Sequence, residues 1–404
     1  MSRSQTITWM VWIIGSIFYA YQYILRVMPS IMMNDILTQF DINAATYGQF
    51  SGVYYIGYAL MHLPLGILLH RYGPKKVMPV CILITVLGLT PIIFASYWVY
   101  PIIGRALIGI GSSAAILGLF HIIRFSFAED KFTKMLSYSV IIGLIGAIYG
   151  GAPINYMCNE IGYKNVVVSF AVIGIILSIV TYILVPNVTE TTKGSTVTGD
   201  IFEVLGNCKV MAVCLFAGLM VGPLEGFADV WGTIYLKNVY GLDQTLAASL
   251  PSLMYIGMGV GAPVLSMITE KTKCHIEVII ISAIIMMISF VWLLVYNIPT
   301  SILSAVFFVM GVCSAYQIIA IYKSSTYVKD HVVGLTTSFA NMIIMVFGYF
   351  FHSIIGYVIN YMGGGDNIDA LRYGMIIIPA SLCVASIGFI LISRRDKKKH
   401  PSSL

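Results

Sequence analysis

"LGILLHRYGPKKVM", residues 65–78, crowds His70, Arg71, Lys75 and Lys76 into seven positions of an otherwise apolar tract. Its flanks decide what the cluster means. Residues 46–69 and 76–96 carry almost no charge, and each run exceeds the roughly 20 residues that cross a hydrocarbon core as a helix. The stretch therefore reads as a charged turn between two membrane helices.

Working outward, the same pattern recurs at 8–32, 99–122, 135–158, 165–186, 209–232, 246–268, 277–297, 301–322, 334–360 and 371–393, giving twelve predicted spans. Composition agrees, with 58% hydrophobic and 10% charged residues and a mean hydropathy of +0.89. Soluble domains carry about 25% charge. β-Barrel strands would appear as short alternating segments, which are absent from this pattern. The first run lacks the short apolar core and small-residue cleavage site of a signal peptide, so it is expected to remain as a span. The fold class is all-α integral membrane.

Basic residues mark the cytoplasmic side of a membrane protein. Arg3, the 71–76 cluster, Arg124, Lys131, Lys134, Lys193, Lys209, Lys271, Lys273, Lys323, Lys329 and the tail "RRDKKK" (394–399) fall on one side. They make up 18 of the 23 Lys and Arg. The other side has Lys164, Lys237 and Arg372 with acidic loops such as "NDILTQFD" (34–41) and "GGGDNIDA" (363–370). Both termini are thus expected in the cytoplasm, across a bacterial inner membrane. The net charge of +6 belongs to this asymmetry, and no basic stripe with interleaved aromatics points to nucleic acid.

The longest cytoplasmic connection, "NVTETTKGSTVTGDIFEVLGNC" (187–208), is rich in Thr and Gly, a composition unable to build a core. It is expected to separate a six-helix bundle at 1–186 from a second at 209–404 with its basic tail. The loop "GAPVLSMITEKTKCH" (261–275) answers the opening stretch in the second half. Parallel six-span halves are a known transporter plan.

"GILLHRYGPKK" (66–76) resembles the loop signature of the major facilitator superfamily, Gly-x-x-x-Asp-Arg-x-Gly-Arg-Lys. Gly66, Arg71, Gly73, Lys75 and Lys76 match, while His70 stands where the family has Asp. Glu270 and Lys271 hold the Asp-Arg places in a weaker second copy. "GRALIGIGSSAA" (104–115) is similar to the family's fourth-span pattern through Arg105, Gly109 and Gly111. "GLIGAIYGGAP" (143–153) is similar to its Gly-rich fifth-span pattern. "RVMPSIMMNDI" (26–36) and "GVYYIGYALMHLPLGILLHRYG" (52–73) resemble bacterial carriers of the organic anion symporter and phagosomal nutrient transporter branches. The resemblance implies two bundles that alternate access to a central site. It also implies a conformational latch at the 66–76 motif and proton coupling or substrate binding at Arg105.

An ionisable side chain at mid-bilayer costs about 2.5–3.5 kcal/mol on insertion scales and marks a candidate site. Tyr19, Gln22, Tyr23 and Arg26 share one face of span 1 by helical spacing. The Arg26 guanidinium offers a planar fork for a carboxylate or phosphate; the alternatives are snorkelling to the outer interface or pairing with a structural acid. Arg105 lies inside span 4, with a packing role against span 1 as its alternative. Glu225 and Asp229 are i, i+4 neighbours in "VGPLEGFADVWG" (221–232). Two such carboxylates in low dielectric tend to share a proton, which suits proton coupling. If span 7 ended near 232, Asp229 would instead sit at the wet outer rim. Tyr54, Tyr58 and His62 share a face of span 2, and Asn341, Gly348 and His352 one of span 11. Tyr316 and Gln317 either line a cavity or bond between helices.

Seven scattered Cys show neither a disulfide framework nor metal-ligand spacing, and no Walker loop or catalytic constellation is present. The expectation is a secondary active transporter, with no cofactor or metal and no enzyme activity. It is read as a monomer in the bilayer, moving a small carboxylate-bearing or zwitterionic metabolite with a proton. Alternatives are a proton-antiport exporter of a drug or polycarboxylate siderophore, supported by the Gly-rich span 5, or a non-transporting receptor that has kept the fold.

Overall fold

The computed structural model describes residues 3–128, 131–186, 197–295, 298–329 and 332–399. The first half of the expected linker, 187–196, and Lys193 with it, lies outside the described residues. So do the side chains of Arg3, Lys397, Lys398 and Lys399. Among the described residues the chain is helical throughout, without a strand.

Among the described residues eleven helices are long and apolar enough to cross a membrane, or twelve if one bent pair counts as a single span. Spans 1 to 4 are Ile7–Ser30, Ala44–Tyr72, Pro74–Phe94 and Val99–Ser126. Span 5 is Lys134–Tyr149 plus Ala152–Ile161, bent by 43°, and span 6 is Tyr163–Leu184. Spans 7 to 12 are Cys208–Tyr240, Gln244–Thr272, His275–Val295, Thr300–Ser325, Val333–Tyr361 and Ile368–Asp396.

The chain divides into two compact units, residues 1–193 with 243–249, and residues 194–242 with 250–404. In the first unit, span 4 packs on spans 2 and 3, span 3 also on span 6, and span 1 on span 5. In the second, span 8 packs on span 10, span 9 on span 12, and span 7 on span 11.

The turn at 65–78 forms as its residues dictate. Gly73 has φ +75°, caps span 2 through its N–H to the Leu69 carbonyl at 2.9 Å, and starts span 3. Only glycine adopts that backbone without strain. Pro74 follows at the first helical position, where its missing N–H costs nothing.

Four segments differ from the sequence expectation. The acidic loop after span 1 holds a short helix, Met33–Phe40, whose Met33 and Ile36 are buried while Asn34 and Asp35 face outward. The second half of the expected linker contains Val197–Leu205, anchored by fully buried Val204. Span 5 breaks between Tyr149 and Ala152 because Pro153 cannot donate to the helix. Span 7 does not end near 232: Ile234, Tyr235 and Leu236 are buried and carry it to Tyr240. Asp229 is therefore inside the helix, wholly buried, rather than at a wet rim.

Candidate functional site

Within the first unit the site grows from the end of span 1. The helix tightens to a 3-10 turn at Met28–Ser30, with Pro29 at its start. Proline has no N–H, so the Leu25 carbonyl four residues earlier loses its regular donor. Arg105, from span 4, fills the gap: Nη1 donates to Leu25 O at 2.6 Å and Nη2 to Arg26 O at 2.8 Å. The same guanidinium lies 4.9 Å from the Tyr54 ring and 5.9 Å from Phe50. Arg105 thus bonds span 4 to the end of span 1.

Arg26 has a different setting. Only 6% exposed, its guanidinium sits 5.3 Å from the Tyr23 ring and 5.1 Å from the Tyr55 ring. Cation–π contacts of this kind reach about 2 kcal/mol when desolvated. Tyr19 meets Tyr23 edge-on at 5.2 Å. Gln22 accepts from the Tyr54 hydroxyl at 2.7 Å. Along span 2, Tyr54, Tyr58 and His62 form a ladder with ring separations of 6.1 and 5.5 Å. The structure thus joins Tyr19, Tyr23 and Arg26 in one set of contacts and Gln22, Tyr54, Tyr58 and His62 in another along span 2.

Within the second unit, residues Gly222–Trp231 wind as a π-helix with Pro223 in its first turn. Such segments are rare and recur at functional sites. Glu225 is 1% and Asp229 0% exposed, and the two turn to different neighbours. Asp229 accepts from the Tyr255 hydroxyl of span 8. Glu225 Oε1 faces Gln317 Nε2 of span 10 at 3.5 Å. The Glu225 carbonyl accepts from His352 Nε2 of span 11 at 2.5 Å, and Trp231 Nε1 donates to the His352 carbonyl at 3.3 Å. Tyr316 donates to the Ala217 carbonyl at 2.6 Å, an interhelical bond. Asn341, half-buried, lies eleven residues before His352 on the same helix, about 16 Å along the axis. Gly348 is buried in span 11, one turn before His352.

Tyr55 and Tyr255 were not singled out in the sequence, though each touches the charge on the first span of its half. A signal was available, since "YIG" occurs at 55–57 and again at 255–257.

The 66–76 motif occupies the end of span 2, the turn and the start of span 3. Arg71 is exposed above the Tyr72 ring at 5.3 Å, Lys75 lies 5.4 Å from the Tyr182 ring of span 6, and Lys76 is exposed. His70 is half-buried, and no side chain comes within 4 Å of a Cβ built on Gly66. Glu270 and Lys271 are exposed at the end of span 8. Among the described residues, no three of His, Cys, Asp and Glu gather as metal ligands would.

Two units of membrane-length helices, each burying a charged side chain on its first span, are the build of a polytopic membrane carrier. A family model described as the Major Facilitator Superfamily matches residues 11–352, and the chain belongs to that superfamily. Solved structures agree on the fold. A bacterial homologue of the human lysosomal transporter Spinster, inward-facing and occupied, is 14% identical with a TM-score of 0.74. It covers 95% of this chain and 96% of its own. The nucleoside transporter NupG is 16% identical with a TM-score of 0.75, covering 94% of this chain and 98% of its own. Comparison with curated proteins by sequence gives no match.

Proposed function

We propose that the protein is a secondary active transporter that takes up a small carboxylate-bearing or zwitterionic metabolite with a proton. Amino acids, short peptides and organic acids fit that description. Its setting is a bacterial inner membrane with both termini in the cytoplasm, in accord with the one-sided distribution of Lys and Arg.

The observation that carries the reading is Arg26. A guanidinium 6% exposed inside a membrane helix, flanked by Tyr23 and Tyr55, is held at a fixed point with a planar donor fork. A carboxylate matches that fork in two parallel bonds. Glu225 and Asp229, buried on the π-helix of span 7, supply groups that can take up and release a proton. Nucleosides, the cargo named for one structural neighbour, carry no carboxylate for Arg26.

Reconstitution tests this. Proteoliposomes with an inward proton gradient are screened with radiolabelled amino acids, dipeptides and organic acids. Gradient-driven uptake is expected in the native protein and lost in Arg26→Ala and Glu225→Gln, both eluting as folded protein. Uptake unchanged in both variants would remove the proposed site.

A further inference from the structure

The two halves repeat one helix crossing atom for atom, yet apply it to opposite charges. A Cβ built on Gly57 of span 2 would lie 2.3 Å from the Ala106 carbonyl of span 4, and one on Gly109 would lie 2.0 Å from the Tyr54 carbonyl. In the second half the same crossing has Gly257 at 2.2 Å from the Phe308 carbonyl and Gly311 at 2.1 Å from the Met254 carbonyl. No side chain fits at these points, so the backbones touch and the register of each helix pair is set. Two residues before Gly57 stands Tyr55, and two before Gly257 stands Tyr255, each 1% exposed. Both rings are therefore delivered to matching places by matching backbone contacts. Tyr55 presents its ring to Arg26 at 5.1 Å. Tyr255 presents its hydroxyl to Asp229.

We infer that Tyr55 and Tyr255 are equivalent positioning residues, the first holding the Arg26 fork by its ring face and the second holding the Asp229 carboxylate by its hydroxyl. The inference rests on the reading of Arg26 as the anion site and of the span 7 carboxylates as the coupling groups. It adds that tyrosines placed by matching backbone contacts serve both charges. A guanidinium is attracted to the electron-rich ring face, whereas a carboxylate accepts only from a donor. The sign of the neighbouring charge thus dictates which part of the tyrosine is needed.

The test is a crossed substitution in proteoliposomes, with a radiolabelled mixture of amino acids, short peptides and organic acids as the probe. Uphill accumulation under an inward proton gradient and exchange without a gradient are both recorded. Tyr55→Leu is expected to raise KM for uptake about tenfold or more by loss of the cation–π contact. Tyr255→Phe is expected to retain exchange and lose accumulation by about tenfold, and Tyr255→His, which restores a ring donor, recovers part of it. A native KM in Tyr55→Leu, or accumulation undiminished in Tyr255→Phe, would overturn the inference. The two readings separate through Arg26→Ala and Asp229→Asn. If these variants keep native KM and accumulation, or if the native protein moves nothing in the mixture, the underlying site falls and the inference with it. If they lose function while the tyrosine variants do not, only the inference falls.

Discussion

Pro29 has no N–H, so the Leu25 carbonyl must find a donor outside its own helix, and Arg105 supplies it at 2.6 Å. A second donor reaches the Arg26 carbonyl at 2.8 Å. Hydrogen bonds from a charged group contribute about 1.5–3 kcal/mol each, and more is lost when the abandoned acceptor is buried. Arg105→Ala is therefore expected to lower the unfolding temperature of the purified protein in detergent. Arg105→Lys should fall in between, because an ammonium does not present the planar fork that serves both carbonyls at once. The cause is checked by restoring the missing donor. Pro29→Ala gives residue 29 an N–H for Leu25, so Arg105→Ala should cost less in that background, a coupling a double-mutant cycle reads directly. Additive effects would sever the link between the proline and the arginine. Arg26 lies against the Tyr23 and Tyr55 rings, and Arg26→Lys keeps its charge but not its fork. Affinity for a carboxylate substrate should drop while the fold survives, measured as KM against melting temperature.

Helix pairs are held at contact distance by glycines, and this makes some glycines critical and others not. Gly109→Ala puts a methyl 2.0 Å from the Tyr54 carbonyl and Gly311→Ala one 2.1 Å from the Met254 carbonyl. Neither backbone can yield without separating the spans, and overpacking of this sort costs about 1–3 kcal/mol. Both variants should lose folded yield and melt earlier. Gly66→Ala meets nothing within 4 Å and gains helix propensity, so it should be neutral or slightly stabilising. Thermal melts of the three side by side decide the matter, and an equal loss at Gly66 would mean that contact distance is not the cause. The elements themselves were legible in the sequence to different degrees. Spans show plainly because twenty apolar residues have few other homes, and Arg26, Arg105, Glu225 and Asp229 stand out because charge inside such runs is costly. The π-helix at 222–231 was hidden, since Pro223 and nearby glycines announce a weak helix without saying which hydrogen bonds replace the lost ones. So was the separation of Glu225 from Asp229, because i, i+4 spacing names neighbours only on a regular α-helix. Tyr55 and Tyr255 carry no charge and merge into a chain with 26 tyrosines; only the repeated "YIG" distinguishes them.

At the scale of the molecule, charge is concentrated at one end of each unit. In the second unit, Asp396 near the end of span 12 pairs with Lys209 of span 7 at 2.6 Å and Lys323 of span 10 at 3.7 Å. The Tyr327 hydroxyl also donates to Asp396, and both lysines lie within 5 Å of its ring, at 4.9 and 4.6 Å. Burial and the adjacent carboxylate push that hydroxyl upward in pKa, keeping it a donor at neutral pH. Partly exposed pairs of this type add little stability singly, yet their position fixes which ends of three spans meet the interface together. If basic loops face the cytoplasm, Cys208 and Cys274, both exposed, flank that face: one starts span 7 and the other lies between spans 8 and 9. Variants retaining one of these cysteines should react with a membrane-impermeant maleimide in inverted inner-membrane vesicles and stay unlabelled in intact spheroplasts. A cysteine placed in the opposite loop by Asp366→Cys, in a chain otherwise free of cysteine, should show the reverse. Labelling of Cys274 in spheroplasts would invert the molecule in the membrane. Net movement would still follow the proton gradient, because orientation does not change the driving force, but each loop would change sides with every span and every buried charge left in place.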